Sequence, residues 1–133
     1  MIADAEGMFT LESNEIAKKG KYSTGVAPQY CGSGGKVANC QSGVYFCYCN
    51  EKGYGLLDQN IYLPEPWFTP EYEEHREKTR FPKGFVFKTN LYIASELLNR
   101  AEENGLFQGR WVGMDSTIDA DSPFRDAVGS RYY

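Results

Sequence analysis

Residues 43–63 read GVYFCYCNEKGYGLLDQNIYL. The segment Gly43–Cys49 is rich in β-branched and aromatic side chains, which suit a pleated strand. Alternation puts Val44, Phe46 and Tyr48 on one face and Tyr45, Cys47 and Cys49 on the other. Asn50-Glu51-Lys52-Gly53 is a turn signal. A second strand follows at about Gly55–Leu63, so the stretch predicts an antiparallel hairpin.

Downstream, Pro64 and Pro66 end the hairpin. Thr69-Pro70-Glu71 has the form of a helix start, with Thr69 as N-cap and Pro70 in the first helical position. The helix it predicts, Pro70–Thr79 (PEYEEHREKT), is polar and belongs on the surface, with Glu74 and Lys78 as an i,i+4 pair. Phe81–Lys88 reads as an extended connection. In the next segment Leu91, Ala94, Leu97, Leu98 and Ala101 recur at helical spacing, predicting a helix from about Leu91 to Asn104. Gly105 fits the left-handed position after its end. Arg110–Met114 (RWVGM) reads as a strand, Pro123–Val128 as a short helix and Arg131-Tyr132-Tyr133 as the start of another strand. Upstream, Met8–Leu11 (MFTL) is a short buried strand. Strand, hairpin, helix and strand in this order predict an α/β fold with a mixed sheet. The last strand begins where the chain stops, so the sheet is expected to be incomplete at the C-terminus and prone to self-association.

The 133 residues suffice for one domain, and 41% hydrophobic and 15% aromatic content supports a packed core. No apolar run approaches the ~18 residues of a membrane span. MIADAEGMFTLES lacks the basic start of a secretory signal, which predicts a cytoplasmic protein. A net charge of −4 argues against a surface coated in basic residues for nucleic acid. The lysines are unevenly placed, however: Lys18, Lys19, Lys21 and Lys36 lie early, while the acids crowd residues 65–77 and 102–126. Cys31, Cys40, Cys47 and Cys49 include no Cys-x-x-Cys, so they read as reduced thiols in strands, with a metal site as the alternative.

The stretch Lys18–Cys40 (KKGKYSTGVAPQYCGSGGKVANC) leaves three readings open: a phosphate cradle, a metal site, or a hairpin connection carrying lysines. It is no Walker loop, because Lys36 after Gly35 is followed by Val37. Acidic residues sit at two strand ends, Glu12 after MFTL and Asp115 after RWVGM. If those strands are parallel neighbours, both carboxylates emerge at one end of the sheet, where open α/β sheets hold their sites. Such a pair attracts magnesium. His75, the one histidine in the chain, reads as solvated on a charged helix. Asp119, Asp121 and Asp126 do not meet a calcium-loop pattern, and Asp121 reads as a helix cap.

Lys18–Gly35, Lys36–Gly43 (KVANCQSG) and Trp111–Ser116 (WVGMDS) resemble the DDE-superfamily endonuclease domain of bacterial insertion-sequence transposases. The likeness runs on through GYGLLDQNIYLPEPWFTPEYEEHR, FKTNLYIASELLNRAEENGLF and DSPFRDAV. It implies a single, partial ribonuclease-H-like catalytic domain over residues 1–133 that cuts and joins DNA with magnesium. It also implies Asp115 as a catalytic metal ligand and Glu12 in the place of the first aspartate. Lys18, Lys19, Lys21 and Lys36 would then contact DNA phosphates at transposon ends. A homo-oligomer or full-length transposase is the implied protein partner. The sequence departs from the family pattern at Glu12, Ser13 and Glu15, and Pro28 stands where arginine is common. The family's later glutamate has no counterpart. These departures predict impaired catalysis, with a non-catalytic DNA-binding or transposase-interacting remnant as the alternative. An unrelated small α/β protein whose cysteines bind metal is the remaining rival.

Overall fold

A computed structural model of the protein describes residues 7–31, 35–105 and 109–114. Its strands are β1 (Gly7–Ala17), β2 (Ala27–Cys31), β3 (Lys36–Asn50), β4 (Gly53–Tyr62) and β5 (Gly109–Met114). Two 3-10 turns, Glu65–Phe68 and Pro70–Tyr72, lead into α1 (Glu73–Lys78), and α2 spans Asn90–Asn104. The expected helix at Pro123–Val128, the strand at Arg131–Tyr133 and the aspartates at 115, 119, 121 and 126 lie outside the described residues. The strands form a five-stranded sheet in the order β2-β3-β1-β5, with β4 also paired to β3. β5 runs parallel to β1 and β2 antiparallel to β3. This is the mixed α/β sheet that the sequence predicts, and it has a ribonuclease-H-like arrangement.

The chain divides into two compact units, one of residues 1–13, 44–60 and 90–133 and the other of residues 14–43 and 61–89. In the first unit the pleat sorts the side chains. Phe9 and Leu11 of β1 are buried with Val44, Phe46 and Tyr48 of β3, the face expected for the hairpin. The ring of Phe9 stacks on Phe46 at 5.1 Å and tilts against Tyr48 at 5.4 Å. Two glycines make room for these rings. A Cβ on Gly7 would fall 1.9 Å from the Tyr48 hydroxyl oxygen, and one on Gly109 would fall 2.6 Å from the Phe9 ring.

α2 contributes Ile93, Ala94, Leu97 and Leu98 to the core of this unit. Ala94, Leu97 and Leu98 are buried as their helical spacing predicts, but Leu91 and Ala101 are only half-buried and Ile93 takes the deeper place. Gly105 has φ +68°, and its N–H bonds the Ala101 carbonyl at 3.1 Å, closing the helix as expected. Arg100 of α2 pairs with Asp58 of β4 at 2.9 Å. The turn between β3 and β4 is held by the Lys52 N–H, which donates to the Asn50 side-chain oxygen at 2.8 Å.

The second unit is organised around Trp67. Its ring is fully buried, and its Nε1–H donates to the Val26 carbonyl at 2.9 Å. Tyr72, His75 and Phe81 surround it at ring distances of 5.5, 5.8 and 5.9 Å. The Arg76 guanidinium donates to the carbonyls of Trp67 and Thr69, at 2.7 and 2.6 Å, tying the 3-10 segments to α1. Two sequence expectations change here. The Thr69 hydroxyl does not cap the helix. It donates backwards to the Pro66 carbonyl at 2.6 Å, and Pro70–Tyr72 winds as a 3-10 turn before the α-helix begins. His75 is only partly exposed to solvent. It is half-buried between Tyr72 and Tyr22, with ring distances of 4.5 and 5.2 Å. The Glu74–Lys78 pair forms as predicted at 2.9 Å, and Lys78 also sits 4.2 Å over the Tyr22 ring.

The four cysteines are free thiols in strands. Burial, with the Cys31 thiol and the Glu15 carboxylate adding to it, pushes the Cys40 thiol up from its ordinary value. A thiol raised in the folded state holds its proton more tightly there than in the unfolded chain. Its stabilisation is complete below the unfolded value of about 8.5 and is lost as pH rises through the higher folded value. Urea unfolding should therefore show stability falling above pH ~8.5, with a shallower fall in Cys40→Ala, whatever that variant's absolute stability. Gly109→Ala should cost about 1–3 kcal/mol, because the buried Phe9 ring has nowhere to retreat; a lower urea midpoint at unchanged slope is the expected reading.

Candidate functional site

The site is built on the first unit where β1 and β5 pair. Their parallel register matches Gly7 with Gly109 at one end and Leu11 with Met114 at the other, with a register shift just after Gly7. Leu11 is completely buried, and this fixes the pleat. Residues on either side of it must face the other way, so Thr10 and Glu12 share the face opposite to the core. Glu12 is exposed and Thr10 half-buried, in agreement with that alternation.

A cleft of about 440 Å³ opens on this end of the pair. It is lined by Glu12, Thr10, Ser13, Met8, Gly113 and Met114 among others. A Cβ on Gly113 would meet the Met8 methyl at 2.4 Å, so the thioether lies directly over that glycine. The electrostatics of the cleft are legible at Cys47. Burial pushes its thiol up, the Glu12 carboxylate raises it further, and a hydrogen bond with the Thr10 hydroxyl acts in the opposite direction. An acidic oxygen, a hydroxyl and a thiol therefore meet on one face of the sheet. Sequence reasoning assigned Cys47 to a strand face but did not connect it with Glu12, because the link runs between strands.

The sequence places Glu12 after the first strand. In the structure it lies within β1, which continues to Ala17. The strand is longer than its apolar run because residues beyond Leu11 gain pairing partners from elsewhere in the sheet, which a local hydrophobicity pattern does not reveal. Asp115, the other candidate ligand, lies outside the described residues, one position after Met114. Among the described residues no group of three or more His, Cys, Asp or Glu side chains is arranged to hold a metal ion.

The lysine cluster belongs to the second unit. Lys18, Lys19 and Lys21 occupy the loop between β1 and β2, and Lys36 opens β3. Of the three readings of this stretch, the described residues support a hairpin: Ala27–Cys31 pairs antiparallel with Lys36–Cys40. A phosphate-cradling loop would be followed by a helix, whereas Lys36 starts a strand. The loop is pinned by Asn39. Its backbone carbonyl accepts the Lys18 N–H at 2.9 Å, and its amide donates to the carbonyls of Lys18 and Gly20 at 3.1 and 2.8 Å. Lys19, Lys21 and Lys36 are exposed and Lys18 half-buried. Their ammonium groups make no ion pair with any described residue.

No helix among the described residues is long and apolar enough to cross a membrane. No match is found among curated proteins or among solved structures. A profile of the family described as DDE superfamily endonuclease matches residues 3–131. These endonucleases act on DNA and are in general dependent on divalent metal ions. With the match extending over almost the whole sequence and the sheet carrying the expected parallel pair, the chain belongs to the DDE superfamily endonuclease family.

Proposed function

We propose that this protein is the nuclease domain of a transposase, acting on transposon ends through Glu12 and Asp115. The observation that carries this reading is the Leu11–Met114 register of the parallel pair. Each acid is the residue that directly follows one of these two paired positions in the chain. The donor set suits a hard cation: Glu12 supplies a carboxylate and Thr10 a hydroxyl in the same cleft. Burial and the Glu12 carboxylate raise the Cys47 thiol beside them, which disfavours the thiolate form that soft metal ions prefer. Magnesium, when bound, neutralises charge that builds on the attacking and leaving oxygens of a phosphodiester. The chain's own part is to hold Glu12 rigidly through the buried Leu11 and to keep the phosphate backbone in place. The exposed ammonium groups of Lys19 and Lys21, with Lys18, suit that second task on a loop fixed by Asn39, and Lys36 adds a further exposed ammonium at the start of β3.

Glutamate at position 12 sets the catalytic level. Relative to aspartate it extends the carboxylate by one C–C bond, about 1.5 Å. A displacement of about 1 Å at a reacting centre can cost ~10²-fold in rate. This supports an impaired nuclease, and DNA binding by the lysines without cleavage is the limiting form of that impairment. A homo-oligomer or a complex with full-length transposase fits such a role.

Magnesium-dependent nicking of a labelled transposon-end duplex tests the assignment. Glu12→Asp should raise the rate by up to ~10²-fold, and Asp115→Asn should abolish it. Nicking that survives Asp115→Asn would remove Asp115 from the site. A second readout is independent of turnover. Cancelling the Glu12 charge lowers the Cys47 value towards the ordinary thiol range and increases its thiolate. Iodoacetamide should then modify Cys47 faster at pH 8 in Glu12→Gln, and in the unaltered protein once magnesium is added. An unchanged rate in the presence of magnesium would show that the ion does not bind beside Glu12.

A further inference from the structure

The second unit holds a cleft of about 560 Å³ that none of the proposed catalytic residues uses. It lies where α1 gives way to the irregular segment after it, and its volume falls within the ~300–1,000 Å³ of small-ligand sites. Phe68, Phe81 and Phe85 contribute aromatic surface, and Arg80 and Lys83 contribute positive charge. Phe81 contacts Phe85 edge-on at 5.5 Å and Phe68 edge-on at 5.7 Å. Phe85 nevertheless leaves 51% of its surface in solvent. Arg76 also lines the cleft, but its guanidinium is committed to the Trp67 and Thr69 carbonyls. Arg80 and Lys83 form no ion pair with a described residue.

Arg80 occupies a position where arginine is costly. The Phe81 N–H donates to the Arg76 carbonyl at 2.9 Å and the Arg80 N–H to the Glu77 carbonyl at 3.3 Å. This is the Schellman ending of a helix, whose left-handed residue is usually glycine. Arg80 is that residue, with φ +54°. A non-glycine side chain at a strained backbone position points to a task for the side chain.

We infer that this cleft binds a nucleotide of single-stranded DNA, its base against the exposed Phe85 ring and its phosphate between Arg80 and Lys83. Aromatic rings beside unpaired cations are the means by which proteins hold unpaired bases, because every base offers a π-face whatever its identity. The carboxylates of Glu73 and Glu77 also line the cleft. They disfavour a bare anion and suit the exocyclic amino group of a base, which donates to carboxylates. The inference rests on the DNA-directed reading above and adds to it a site for unpaired DNA, the kind of end that strand cleavage exposes.

Fluorescence titration of the full chain tests it, with a blunt duplex compared with the same duplex carrying a short single-stranded overhang that contains 2-aminopurine. The overhang should tighten binding and the 2-aminopurine emission should be quenched. Phe85→Ala should remove the quenching and weaken overhang binding about tenfold, the equivalent of about 1.4 kcal/mol. Arg80→Gly should lower the salt dependence of overhang binding by about 0.7 in log–log slope, while raising the thermal midpoint because the strain is relieved. Equal binding of both DNAs, or full quenching in Phe85→Ala, would overturn the inference and leave the DNA-directed reading intact. Failure to bind either DNA would overturn both.

Discussion

Parallel pairing of β1 with β5 is the constraint on which the candidate site depends. Parallel neighbours cannot be joined by a tight turn, so the chain must leave the sheet and return. α2 lies in that crossover and buries Ile93, Ala94, Leu97 and Leu98. The same pairing locks the pleat of β1. With Leu11 and Phe9 wholly committed to the core, a slip of one residue would bury Glu12 and expose Leu11. The position of an exposed carboxylate is thus enforced by a buried leucine, and its backbone is held in place by apolar packing.

The second unit reaches the same end by polar means. Trp67 is fixed through its indole N–H, and Arg76 spends its donors on backbone carbonyls of the 3-10 segments. Asn39 does likewise for the loop that carries Lys18, Lys19 and Lys21. These side chains satisfy backbone groups that neither helix nor sheet can reach. The exposed cations on the same unit, among them Lys19, Lys21 and Arg80, are consequently mounted on ordered backbone. A family that works on a polyanion has use for such a framework.

Much of the fold was legible from local pattern. Alternation assigned the buried face of Val44, Phe46 and Tyr48, helical spacing found Ala94, Leu97 and Leu98, and Gly105 ended α2 as its lack of a Cβ allows. The family likeness in the lysine-rich string and in WVGMDS agrees with the profile match. Local pattern failed wherever a distant partner decided the outcome. β1 and β3 outrun their apolar segments, His75 is drawn between aromatic rings, and Thr69 turns its hydroxyl back to Pro66.

The sequence by itself determined which residues could form strands and helices, which side chains were available for chemistry, and to which family the chain is similar. These follow from residue type and spacing, which are local. Only the tertiary structure decided that β5 lies beside β1, that Thr10, Glu12 and Cys47 share one face, and that Arg80 stands in a left-handed turn beside Phe81 and Phe85. The pairing of β1 with β5 and the meeting of Thr10 and Glu12 with Cys47 join residues far apart in the chain, and the burial of Leu11 fixes the face on which they meet.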